Sequence, residues 1–170
     1  MEFISRAVLL TFLGIGAWMD IVHQRISNVF IAFGFGLAAF YQIFLKHDRM
    51  CIPGMLLPLL ILGILFVFHA LGAGDIKLLM VSGMFLGPEA VFQCIMISIL
   101  VAAVLSMYKL LRHRILVVRL QYFVTYFRDF LQTGECKPYY DKEQGQDCVI
   151  PFAVPVFIGT VLYYVWEGCV

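Results

Sequence analysis

The sequence predicts an all-α, polytopic membrane protein with about six transmembrane helices. Three observations lead there. The chain is 62% apolar and only 14% charged, with a mean hydropathy of +0.93, outside the range of soluble globular domains. Uncharged stretches recur at residues 7–19, 29–45, 50–74, 78–88, 90–108 and 149–166. Several reach or approach the roughly 20 residues that a helix needs to cross about 30 Å of hydrocarbon. The stretches are continuously apolar and do not alternate, which excludes a transmembrane barrel.

The first predicted helix covers about residues 3–19 and ends at Trp18-Met19-Asp20 with no small-x-small cleavage site, so it reads as a retained span and not as a signal peptide. A polar turn with Asp20, His23, Arg25 and Asn28 follows, Asn28 reading as the cap of the second helix. That helix runs to about Leu45 and the charged tip Lys46-His47-Asp48-Arg49. A third covers about 54–71 and stops in a turn built on Gly72 and Gly74. The fourth starts near Asp75 and stops at Gly87-Pro88, about 21 Å of helix and short for a bilayer. The fifth covers about 89–110. A hydrophilic loop, 112–148, leads to a sixth at about 150–166. Within the loop, Gln121, Thr125, Arg128, Asp129 and Gln132 share one helical face, the pattern of an amphipathic helix lying on the inner leaflet. All 170 residues read as a single integral-membrane domain.

Basic residues orient these helices. Arg25, Lys77, Lys109, Arg112, Arg114, Arg119, Arg128, Lys137 and Lys142 fall on one side, against Arg6, Lys46 and Arg49 on the other. The richer side is cytoplasmic by the positive-inside rule, with both termini outside. The net charge of +1 comes with no basic stripe or recognition motif, so nucleic acid is not an expected partner. The five cysteines form no C-x-x-C pair and read as free thiols.

Two carboxylates stand out. Asp75 follows 25 residues, 50–74, that hold no Asp, Glu, Lys or Arg, and Asp20 closes the first apolar stretch. An acid at the edge of a lipid-length segment is costly, and by default marks function. If the first and fourth helices pack with these acids at one depth, the two can share a proton. One then polarises a water and the other assists a carbonyl oxygen, which is the chemistry of an aspartic protease. Asp75 lies at a helix N-terminus and Asp20 at a C-terminus, so the dipoles predict Asp75 as the ionised base and Asp20 as the proton holder. Gly72 and Gly74 allow close approach to Asp75. Taken singly, Lys77 reads as an inside-positive anchor, His23 as a surface residue and His69 as a core histidine. No H-E-x-x-H or ligand cluster predicts a metal, and no cofactor is expected. Ser82-Gly83 lacks the surroundings of a serine nucleophile. The acids alone also fit a proton- or cation-binding transporter or a scaffold.

Gly72-Ala73-Gly74-Asp75-Ile76-Lys77-Leu78-Leu79, with Gly83 and Gly87, resembles the second motif of the type IV prepilin peptidases, G-x-G-D aspartic proteases. Asp20 to Asn28, which includes Arg25, is similar to their first motif, with Ser27 where the family usually has Pro. Ile150-Pro151-Phe152-Ala153-Val154-Pro155, with Gly159, looks like the Pro-rich start of their last helix. The likeness is closest to the short Flp/Tad-type members. It implies a catalytic pair Asp20 and Asp75, with Gly72, Gly74, Lys77, Asn28 and Arg25 as supporting motif residues. The implied partners are the lipid bilayer and a prepilin or pseudopilin helix whose leader is cut at the cytoplasmic face. Paired C-x-x-C motifs of the long bifunctional members are missing from the sequence, so the resemblance does not extend to N-methylation. A preflagellin or signal-peptide-type G-x-G-D protease is the neighbouring alternative.

Overall fold

The computed structural model describes residues 2–46, 50–67, 71–112 and 151–169, and every element among them is helical. In chain order these are α1 (Glu2–His23), α2 (Asn28–Tyr41) with a π-helical turn at Gln42–Lys46, α3 (Cys51–Val67), α4 (Ala73–Leu86), α5 (Pro88–Arg112) and α6 (Ala153–Cys169). His69, Cys136, Cys148 and the expected amphipathic helix of the long loop lie outside the described residues. Residues 1–102 and 151–170 make one compact unit and residues 103–150 a second.

Two of the helices, over Ile4–His23 and Pro88–Lys109, are long and apolar enough to cross a membrane. Shorter apolar helices occupy Asn28–Phe44, Cys51–Gly63 and Ala153–Cys169. Their outward faces carry Val29 (79% exposed), Leu60 (75%), Trp18 (69%) and Leu100 (67%), a density of bare apolar surface that suits lipid and not water. Inside, Leu9, Leu13, Leu62, Leu78, Leu79, Val91, Ile95 and Val156 form a fully buried core. The buried hydroxyls of Ser82, Ser98 and Thr160 each donate to the carbonyl one turn back, at Leu78, Cys94 and Val156, so that no polar hydrogen is stranded. The Ser82 hydroxyl is thus spent within its own helix.

Element boundaries differ from expectation at the first turn. α1 continues to His23, so Asp20 and His23 belong to its last turn and not to a connecting loop. It ends because Gln24 adopts a left-handed φ of 50° while its N–H closes on the Asp20 carbonyl at 2.9 Å. Ser27, not Asn28, is the N-cap residue of α2, and its side chain makes no capping bond. α4 stops where expected. Gly87, at φ 92°, turns the chain, and Pro88 opens α5 at the first helical position, where its missing N–H costs nothing.

Packing is most extensive between α3 and α4 and between α1 and α6, while α1 meets α4 over a narrower contact. The α3–α4 pair is close because Gly54 and Gly83 face each other, and a Cβ on either would run into the partner's backbone. Small residues give this backbone approach to helices in lipid, where dispersion contacts replace the hydrophobic effect. Gly159 does the same against Ser98 between α6 and α5, and Gly34 admits the ring of Phe12, which stacks on Phe30 at 4.4 Å. Gly83→Val should therefore force α3 from α4 and destabilise the fold by about 1–3 kcal/mol, the usual cost of overpacking. Gly63→Ala, which meets open space, should leave stability within about 1 kcal/mol of wild type. Unfolding of the purified protein in detergent compares the two.

Candidate active site

The two acids converge at one end of the bundle. Gly16 lies one turn before Asp20, and a Cβ there would stand 3.0 Å from Leu78 Cδ1, on the residue one turn after Asp75. This contact between α1 and α4 sets the acids at a common level. Asp20 is buried, at 8% exposure, and Asp75 is half-buried.

Each carboxyl is held by a main-chain donor. Asp75 is the third residue of α4, and its carboxylate reaches back to the backbone N–H of Gly72, the N-cap residue. That is half of a capping box. A Cβ on Gly72 would come within 3.1 Å of Asp75 Oδ2, so glycine leaves this approach open. Asp20 Oδ2 accepts the N–H of Ala153 at 3.1 Å. The first turn of α6 explains why that N–H is available. Val154 N–H goes to Pro151 O and Val156 N–H to Phe152 O, and Pro155 has none. Ala153 keeps an N–H for an outside acceptor, and Asp20 takes it.

This arrangement corrects the expected division of roles. Asp20 does end α1, but it also faces the N-terminus of α6, so both acids receive a helix N-terminal N–H. The dipole reason for making Asp20 the proton holder disappears. The donor role of Ala153 is not evident from its residue type. The legible signal was Pro151 and Pro155 bracketing it, a helix start with a spare donor.

The remaining motif residues divide. Lys77 Nζ donates to Asn28 Oδ1 at 3.0 Å, which overturns the reading of Asn28 as a cap and gives Lys77 a partner besides the interface. Gly74 takes the side chain of Ile26, from the turn after α1, with 3.3 Å left for any Cβ. Arg25 is exposed in that same turn and makes no ion pair or hydrogen bond among the described residues. His23 is exposed as well. Among the described residues no three His, Cys, Asp or Glu side chains gather as a metal site would need.

Two carboxyls that meet in a site partly closed to water would share one proton, since both cannot ionise cheaply. Such a pair can activate a water with one member and protonate a carbonyl oxygen with the other. In a background cleared of native cysteines, Asp20→Cys with Asp75→Cys should form a disulfide in membranes under mild oxidation. The same pair with the second cysteine moved to Ile61 should not. Absence of cross-linking in the first pair would end the juxtaposition.

A search of curated proteins returned no match, and a search of solved structures returned none. The description of the type IV leader peptidase family matches residues 7–107, which is more than half of the chain and contains Asp20, Asp75 and both motifs around them. The chain belongs to the type IV leader peptidase family, and that membership implies a peptidase.

Proposed function

We propose that the chain is a multi-pass aspartic endopeptidase of the cytoplasmic membrane that removes the leader from type IV prepilins or pseudopilins at the cytoplasmic face. The observation that supports the reading is geometric: two acids from the ends of apolar helices that meet at Gly16 and Leu78, with the Asp20 carboxylate held by the backbone N–H of Ala153. Asp20 and Asp75 are the catalytic pair. Water attacks the scissile carbonyl as one carboxylate takes its proton, the carbonyl oxygen gains the proton of the other, and the acids then return a proton to the leaving amine.

The substrate class is the one the family resemblance implies, and the position of the acids at the ends of apolar helices is compatible with it. A basic leader ahead of an apolar helix would keep its scissile bond at the inner boundary, level with residues 20 and 75, while the helix stays in lipid. Six spans are the topology proposed, with the 112–148 loop inside. Trp18 and Trp166, both 69% exposed at helix ends, suit the two interfaces. Leader removal would release the mature subunit for assembly into a filament.

Co-expression with a candidate prepilin, followed by leader loss on a gel, tests the activity. Asp20→Asn and Asp75→Asn should each lower cleavage by about 10²–10⁴-fold, the usual contribution of a positioned acid or base, while the protein still inserts. Normal cleavage by either variant would refute the pair. Ala153→Pro keeps the first helical position of α6 but deletes the donor to Asp20, and should slow cleavage about tenfold or more, as the loss of a hydrogen bond to a charged group does. Thiol reagents that cannot cross the membrane should label Cys136 and Cys148 only in inverted vesicles. Labelling from the outside would reverse the topology.

A further inference from the structure

Lys77 and Asn28 do more than orient the chain in the bilayer. The turn from α1 to α2 is strained at Gln24, whose left-handed backbone is uncommon for a residue with a Cβ. Such a conformation persists where its surroundings hold it. Two contacts do so here, both with the first turns of α4. Ile26 lies on Gly74, and Asn28 Oδ1 accepts from Lys77 Nζ at 3.0 Å. Gly74 immediately precedes Asp75 and Lys77 follows it by two. On the other strand of the turn, Gln24 closes on the Asp20 carbonyl. The turn therefore starts at one acid and fastens on both sides of the other.

We infer that the Asn28–Lys77 hydrogen bond and the Ile26–Gly74 contact form a clasp that fixes the separation of Asp20 and Asp75, with Asn28 and Lys77 as positioning residues. The inference rests on the peptidase reading. α1 and α4 share only a narrow contact of their own, so the turn, continuous with α1 and fastened to α4 by non-covalent contacts, is a second tie that holds their ends in register. Lys77 and Asn28 are both exposed, and an exposed polar pair adds little to global stability. Displacing a reacting group by an ångström costs far more in rate. The clasp thus predicts a loss of rate out of proportion to any loss of fold. An anchoring role for Lys77 would be served by arginine and would be indifferent to residue 28.

The test uses full-length protein in membranes with a prepilin substrate. Asn28→Ala and Lys77→Met should each lower kcat about tenfold with KM little changed, and the double variant should be no worse than either alone. Asn28→Asp, which keeps an acceptor for Lys77, should restore the rate in the Lys77 background and fail to do so with Lys77→Met. In the inactive Asp20→Cys, Asp75→Cys reporter, Asn28→Ala should slow disulfide formation severalfold. Additive losses, full activity of Asn28→Ala, or unchanged cross-linking would each overturn the clasp. Loss of cleavage in Asp20→Asn and Asp75→Asn alongside a fully active Asn28→Ala would sink the clasp alone. Cleavage by the aspartate variants would sink the peptidase reading beneath it.

Discussion

A carboxylate that is nine-tenths buried at the end of a helix needs a donor, and here the donor comes from 133 positions away along the chain, in the N–H of Ala153. Much of the site's construction follows from that need. α6 must begin at the level of Asp20, with its first turn arranged so that one N–H is unspent. Pro151 and Pro155 make this arrangement by removing competing donors. α1 must run past its apolar stretch so that Asp20 is set within its last turn, fixed by the helix and not by a loop. With Asp20 anchored, the α1–α4 contact at Gly16 and Leu78 brings Asp75 to the same height.

The bundle reaches this geometry through close backbone approach at a few glycines, beside a buried core of leucine, isoleucine and valine. Gly54 against Gly83, and Gly159 against Ser98, let helices touch along their main chains, which suits a medium as apolar as the side chains themselves. Other large residues, Val29, Leu60 and Leu100 among them, are turned outward. Glycine at 72 and 74 serves a different end. There it leaves room for the Asp75 carboxylate and for Ile26, so the second motif is as much about vacant volume as about the acid.

Much of this was legible in the sequence. The six apolar segments, the Gly87-Pro88 stop and the pair of lone acids all follow from hydropathy and from the two residues that most strongly constrain the backbone. What was not legible depended on contacts between distant segments. Asn28 looks like a cap because local rules favour Asn beside a helix start, but Lys77 competes for its oxygen from 49 positions away. The polarity assigned to Asp20 failed similarly: a dipole argument from its own helix could not include the second helix that meets it. The end of α1 was set short because Gln24, which terminates it in a left-handed conformation, carries no such preference in its type.

The pattern of packing has a practical consequence. α1 is tied to α6 at both ends, by the Asp20–Ala153 hydrogen bond and by the Arg6–Glu167 ion pair at 3.2 Å, while α4 is married to α3. The two acids stand on opposite banks of the thinner seam between these pairs. A side chain added at Gly16, where a Cβ already stands 3.0 Å from Leu78 Cδ1, would wedge this seam apart without touching either carboxyl.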